Sequence, residues 1–510
     1  MNSFSLTLFT LLGLYLIKLL VMELIVLIRI AGYRMKGLKH ADYKFWPLAM
    51  IQFKKTIKGN DIYKNAKKKL YEAEDEQPFH VFGIDGSCHF LLLSHEAISE
   101  FYKNETKFTE KVNYFAKLKF LAFFFQNGKK VHQARATFSK IFHYSNVISL
   151  MPQIHQSIKT HVKALKKRVS QAKDRRLKIN IKQEFLLDLL EDLTGCILLT
   201  GADKRISATF DGMTISQILK KMYDCFDAHP RQILTWIPFS ERLGLSKTAN
   251  EFKRLQDGFR KIIADQYKER YNSASEEDLA ENSILDIMVK LNKKSERETG
   301  QPQFTLEEIS DNFELFQFAG SDTSFQASCS LLTYLAHPEN QVYQERLSSE
   351  LNSEYLKLKD LNNDKLNSLK MLDMCFRETM RMANPAVQIS PRKVVKNFKL
   401  CGYELKKGDL VRNSLVGYQP AFFKEPYKFL PDRFSEEARK KIPFTKQLPF
   451  SHGQRGCIGK YLGEMMVKLI GLELVKNFKF EVEEGYVMKM GLNPIYGVAN
   501  PELILSIRKD

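Results

Sequence analysis

The chain has 510 residues, 44% of them hydrophobic, and 78 lysines and arginines against 59 acids give it a formal net charge of +19. That length allows one large enzyme fold or a few domains with a sizeable core. Seven scattered cysteines with no C-x-x-C pair argue against a disulfide framework or a structural zinc site and place the globular part in a reducing compartment. The basic excess favours an anionic partner, with a phospholipid surface ahead of nucleic acid, because zinc-finger spacings, RNP-like strands and dense basic helices are missing.

Residues 4–30 are mostly apolar and are broken inside by Lys18 and Glu23. About 20 helical residues cross a hydrocarbon layer of about 30 Å, so residues 1–30 are expected to be an uncleaved signal-anchor transmembrane helix. Lys18 would cost about 3 kcal/mol at the membrane centre. An interfacial amphipathic helix is the alternative. Arg29, Arg34, Lys36 and Lys39 follow, and the positive-inside rule leaves the large domain in the cytosol.

Residues 31–77 read as a basic linker leading into the main domain, 78–510. Residues 79–94 predict a β-hairpin turning near Asp85 and Gly86. Residues 96–293 are mostly helical, with polar breaks at 173–176, 201–204 and 273–277. A long helix over about 305–337 stops before Pro338, and two more cover about 339–354 and 365–382. The stretch "ISPRKVVKNFKLCGYELKKGDLV" alternates like short antiparallel strands. A helix over about 459–477 and a small terminal hairpin complete a mostly α fold with small β-sheets (α+β), in one large domain.

"PFSHGQRGCIGKYLG" (449–463) raises the chemical question. Gly453 and Gly456 let the backbone turn sharply and let a flat ligand approach. Gly459 opens the next helix, whose N-terminal N–H groups favour a thiolate at Cys457. One thiolate ligand with an open face opposite suits a haem iron. Arg455 can pair with a propionate, and Phe450 can wall the sulfur from water. In "FELFQFAGSDTS", Phe313, Phe316, Gly320, Thr323 and Ala327 share one helical face. Glycine inside a helix costs about 1 kcal/mol relative to alanine, which room for a small ligand would justify. Asp322 and Thr323 then offer a proton source and a hydroxyl beside it.

The sequence F-x-x-G-x-R-x-C-x-G, here Phe450, Gly453, Arg455, Cys457 and Gly459, resembles the haem-binding loop of the cytochrome P450 superfamily. Ala319, Gly320, Ser321, Asp322 and Thr323 resemble its A/G-G-x-D/E-T segment. Glu378 and Arg381 in "FRETMR", with Arg433 in "FLPDRF", resemble its structural Glu–Arg–Arg set, although Asp432 stands where the family has glutamate. Gly128 and Arg135 match G-x-x-W-x-x-x-R, with Val131 in place of the tryptophan; His132 is read as a helix-surface residue in preference to a substitute contact. Arg392 in "SPRKV" resembles a further propionate partner. The likeness covers nearly everything from residue 79 onward.

The resemblance implies the family's fold and a haem-thiolate monooxygenase with haem b, Cys457 as the iron ligand, and Asp322 and Thr323 delivering protons to bound dioxygen. It implies an apolar pocket around Phe120, Phe123, Phe124, Phe313, Phe316, Ala319, Gly320, Val387 and Ile389, suited to a fatty acid, a sterol or another lipophile. The chain has no G-x-G-x-x-G unit for a flavin or nicotinamide domain. Electrons are therefore expected from a separate NADPH-dependent flavoprotein reductase, with a small b-type cytochrome as a second donor. Lys129, Lys130, Arg439, Lys440, Lys441, Lys446 and Lys460 are placed to steer it. With the anchor, the arrangement is microsomal: single-pass in the endoplasmic reticulum membrane, with the catalytic domain facing the cytosol. Two alternatives remain: an oxygen-independent isomerase or dehydratase of lipid hydroperoxides, and a non-catalytic haem-binding sensor. The Asp322–Thr323 pair disfavours the first, and the lack of any recognisable output domain disfavours the second.

Overall fold

The computed structural model describes residues 3–39, 41–43, 77–84, 87–112, 127–193, 209–228, 246–275, 277–279, 283–355, 361–386, 391–413, 422–492 and 495–508. In chain order the helices are α1 (Ser3–Met35), α2 (His95–Phe108), α3 (Lys129–Ile141), α4 (Tyr144–Gln171), α5 (Leu187–Leu193), α6 (Ile215–Ala228), α7 (Lys247–Ser273), α8 (Ile284–Thr299), α9 (Leu306–Ala336), α10 (Gln341–Tyr355), α11 (Asn363–Ser368), α12 (Lys370–Met382), α13 (Glu436–Lys440) and α14 (Lys460–Asn477). The strands are β1 (Ala41–Tyr43), β2 (Phe79–Ile84), β3 (Ser87–Leu92), β4 (Thr109–Lys111), β5 (Arg176–Asn180), β6 (Arg392–Val394), β7 (Phe398–Leu400), β8 (Tyr403–Leu405), β9 (Leu410–Asn413), β10 (Phe478–Glu481), β11 (Met490–Leu492), β12 (Tyr496–Val498) and β13 (Glu502–Ile507). The fold is mostly α with small sheets, as expected, and divides into two compact units.

The first unit comprises residues 1–112, 387–428 and 442–456. Its six-stranded sheet has the order β1-β2-β3-β9-β6-β4. The predicted hairpin is there as β2 and β3, antiparallel with Phe79 opposite Leu92 and Ile84 opposite Ser87; its turn residues lie outside the described residues. Val26, Ile30 and Tyr33 of α1 pack in one core with Phe79, Phe90 and Val411. Arg29 clamps Asp409 through two hydrogen bonds of 2.8 and 2.6 Å, and the Tyr33 hydroxyl donates to the Glu404 carbonyl.

That docking adds to the expectation for the N-terminus a contact that the sequence did not show. The helix runs to Met35 rather than ending near residue 30, and its second half lies on the sheet of its own unit. Among the described residues, no helix is long and apolar enough to cross a membrane. Glu23 is buried, and Arg29 is spent on Asp409, so both charges serve the protein interior. The outer face still presents Leu20, Val21, Leu24, Ile25 and Ile28.

The second unit comprises residues 113–386, 429–441 and 457–510, with α9 at its centre. Thr305 caps α9: its hydroxyl accepts from the Glu308 N–H, and the Glu308 carboxylate accepts from the Thr305 N–H. α14 crosses α9 closely because Gly471 carries no side chain; a β-carbon there would stand 3.0 Å from Leu331 Cδ2. β13 lies between β10 and β5, so the expected terminal hairpin accounts only for β11 and β12. β5 falls at the predicted polar break near residue 175, which the sequence pattern marked as an interruption without showing a strand.

Candidate functional site

The cysteine loop begins in the first unit. Gly453 to Arg455 form one turn of 3-10 helix, with Gly453 at φ +73°, a conformation that favours glycine. A β-carbon on Gly456 would approach the Gly453 carbonyl oxygen to 3.3 Å, so this position also needs to be small. Phe450 and Arg455 are half-buried. The loop then enters the second unit at Cys457, two residues before Gly459, the residue that precedes α14. Among the described free cysteines, Cys457 alone is exposed; Cys88, Cys329 and Cys375 are buried. Burial pushes the Cys88 and Cys329 thiols up to about 12, which makes them inert. Cys457 instead has access and the N–H groups of a helix start nearby.

Also in the second unit, α9 is buried from Ile309 to Ala336 except at Phe318, Ala319, Gly320 and Thr323, where the helix is open. The small residues Ala319 and Gly320 strip bulk from this turn. Asp322 sits beside it, 5% exposed. Its Oδ1 is 4.0 Å from Lys182 Nζ, and its Oδ2 has no hydrogen-bond partner among the described residues. Burial pushes its carboxyl up to about 6, against the opposing pull of Lys182. The Thr323 hydroxyl donates to the Ala319 carbonyl at 2.6 Å.

Glu378 on α12 meets both predicted arginines. Arg381 donates from Nε and Nη2 at 2.7 and 2.8 Å, and Arg433 Nε lies 3.3 Å from Glu378 Oε1. The Leu430 N–H also donates to Oε1 at 2.8 Å. Asp432, at the position that departs from the family pattern, is exposed and held by Arg346 through two hydrogen bonds. Those bonds lower its carboxyl pKa.

Arg392 is neither solvated nor idle. It is 2% exposed and forms a buried ion pair with Glu105 on α2. Arg135 is half-buried and engaged. Val131, at the family's tryptophan position, is core, whereas His132 points to solvent. Phe313 and Phe316 are packed as core residues, Phe316 against Phe138 and Phe142. Of the expected pocket residues, Phe120, Phe123, Phe124, Val387 and Ile389 lie outside the described residues. Sequence reasoning missed Glu105, Tyr102 and Lys182. All three sit on unremarkable helical segments, and only their partners, far along the chain, mark them out.

Within the second unit, an exposed thiol just before a helix start and an opened turn on an otherwise buried helix fit a flat macrocycle with a thiolate-bound metal. The orphaned Asp322 oxygen fits a site that handles protons. These features define a haem-thiolate protein.

The sequence pattern of the Cytochrome P450 family matches residues 46–506, and the chain belongs to that family, whose cofactor is haem b. Among curated proteins, it is 29% identical over 211 residues to a sterol 14alpha-demethylase of Mycolicibacterium vanbaalenii, covering 41% of this chain and 45% of that one. It is 34% identical over 190 residues to cytochrome P450 9e2 of Blattella germanica, covering 36% and 35%. With mouse (Mus musculus) cytochrome P450 26B1 it shares 30% over 270 residues, covering 51% and 49%. The chain thus spans about half or less of the length of these relatives. The solved structure of retinoic acid bound cyanobacterial CYP120A1 superposes with a TM-score of 0.71 over 89% of this chain and 96% of that one, at 17% identity.

Proposed function

We propose that this protein is a haem-thiolate monooxygenase that inserts one atom of dioxygen into an apolar substrate, with residues 78–510 as the catalytic domain. The observation that carries the proposal is the exposed Cys457 thiol at the start of α14, in a chain of this family. Cys457 would be the metal ligand, and Phe450 would shield its sulfur from water. Gly453 and Gly459 would leave room for the macrocycle, and Arg135, Arg392 and Arg455 would meet its anionic edge. When bound, the haem supplies activation of dioxygen, helped by electron density from the thiolate.

The chain's own part is proton handling and exclusion of water. Asp322 holds a proton on a buried carboxyl up to about pH 6 and releases it above that, so near neutrality it can cycle between the two states. Lys182, partly exposed, links that carboxyl to solvent. Thr323 Oγ1 now donates to Ala319 and would offer its hydroxyl at the opened turn. This pair also favours oxygen chemistry over the hydroperoxide isomerase reading.

An apolar substrate is supported by Ala319 and Gly320 at the open turn. It is also supported by the printed names of two similar proteins, one a sterol demethylase and the other solved with retinoic acid. Phe120, Phe123, Phe124, Val387 and Ile389 complete the proposed pocket. Electrons would come from an NADPH-dependent flavoprotein reductase, with a b-type cytochrome as second donor. Arg439, Lys440, Lys441 and Lys460 are exposed and suited to an acidic partner, whereas Lys446 partly spends its charge on the Leu93 carbonyl. Residence at the endoplasmic reticulum membrane, facing the cytosol, rests on the apolar outer face of α1 and the basic residues after it.

The test is a reduced carbon-monoxide difference spectrum of the haem-loaded chain beside Cys457→Ser. The parent should give the thiolate-type band and the variant should lose it while remaining folded. An unchanged Soret band in the variant would remove Cys457 as ligand.

A further inference from the structure

α2 and the cysteine loop make a set of contacts within the first unit that the reading above does not use. Ser451 has φ +61°, a left-handed conformation that costs a non-glycine residue on the order of 1 kcal/mol and persists only where its surroundings over-determine it. Here its N–H donates to the Leu448 carbonyl, and its hydroxyl lies 3.0 Å from the Tyr102 hydroxyl. The Tyr102 ring stands edge-on to His452 at 5.6 Å, and Asn413 Nδ2 donates to its hydroxyl. Three residues on, Glu105 presents the same helix face. Its Oε1 takes the Arg392 Nε–H, and a β-carbon on Gly453 would come within 3.4 Å of its Oε2 and 3.7 Å of Tyr102 Cδ1. The start of α2 is tied to the same segment, because His95 Nδ1 is 2.6 Å from the Thr445 hydroxyl.

One helix face therefore braces the strained turn four to six residues before the thiolate and also grips Arg392. We propose that Tyr102 and Glu105 are positioning residues for the cofactor: Tyr102 sets the entry turn of the cysteine loop, and Glu105 fixes the Arg392 guanidinium for an anionic edge of the haem. This rests on the haem-thiolate reading. Glu105 brings a second, electrostatic consequence. Its carboxylate cancels part of the Arg392 charge in a buried setting, so it tunes how strongly the ferrous and ferric states are each favoured.

The test uses the full chain loaded with haem, and three variants: Glu105→Gln, Glu105→Asp and Tyr102→Phe. Haem loss to an excess of an apo-globin acceptor and the midpoint potential of the iron are measured. Glu105→Gln keeps the shape but removes the charge. It should shift the potential to more positive values and speed haem loss about tenfold, the size of one weakened charge-assisted hydrogen bond. Glu105→Asp should restore the potential towards the parent value. A purely structural brace would leave the potential unmoved. Tyr102→Phe removes one hydroxyl and should speed haem loss with no change in potential; it carries the test if Glu105→Gln does not fold. Parent-like haem loss in Tyr102→Phe, or a parent-like potential in Glu105→Gln, overturns the proposal. A parent chain without the thiolate-type carbon-monoxide band would instead overturn the haem-thiolate reading itself.

Discussion

Two buried acids of the second unit, Glu378 on α12 and Asp322 on α9, received opposite treatment from the fold. Glu378 is fully buried, and every contact it makes is a donor: two from Arg381, one from Arg433 and one from the Leu430 N–H. Asp322 is nearly as buried, yet among the described residues it has only a lysine at 4.0 Å on one oxygen and no hydrogen-bond partner on the other. A buried charge with a full set of partners is costly to break, because removing one partner strands the other, so it holds geometry. An unmatched one is held towards neutrality by its surroundings and can exchange a proton near physiological pH. The first arrangement suits a scaffold and the second suits the proton handling proposed above, although both would appear alike as "buried acid on a helix".

The sharpest way to break this contrast is Glu378→Ala. It strands Arg381, 4% exposed, without its carboxylate and should cost about 3–5 kcal/mol in urea unfolding. A loss below about 1 kcal/mol, the level of an exposed pair, would mean that the set carries no structure.

Asp322→Asn should act in the other direction. The folded carboxyl sits at about 6 against an ordinary 3.8, so the folded state keeps its proton over a range where the unfolded state has lost it. Stability therefore falls as pH rises from about 4 through 6, and at pH 7 the cost is on the order of 3 kcal/mol. The asparagine variant should lose that part of the pH dependence and be more stable than the parent at pH 7, while its turnover collapses. A parent whose stability relative to the asparagine variant does not fall between pH 4 and 6 would remove the distinction between the two acids.

Lys182→Met is a smaller perturbation. The lysine pulls Asp322 down, so its loss should move the acid limb of the pH–rate profile to higher pH, by less than burial already does. A shift to lower pH would show that Lys182 is not the partner. Smallest of all is Asp432→Glu, which restores the family's usual residue. The Arg346 pair there is exposed on both sides, so thermal unfolding should change by less than about 1 kcal/mol.

Much of the site could be read from short windows of sequence. Phe450 to Gly459 and Ala319 to Thr323 are local patterns, and local patterns survive in a one-dimensional reading because their geometry is set by neighbouring residues. The long helix was read to within one residue at each end, since Thr305 and Glu308 form a capping box and Pro338 follows. Phe313 and Phe316 show the limit of such local patterns. Their helical spacing identifies a face, but only packing shows that Phe316 lies among Phe138 and Phe142 in the core. At the N-terminus, hydropathy alone suggested a span, whereas the Arg29–Asp409 contact joins residues 380 apart.

The sequence by itself determined the family, the cysteine and the acid–threonine pair, because each is written in residues close together along the chain. The tertiary structure decided the rest. It left Asp322 without a full set of partners, and it brought Glu105 to Arg392 across 287 residues. It also laid the second half of α1 on a sheet. These outcomes depend on which distant side chains share a low-dielectric interior, and no spacing along the chain encodes that.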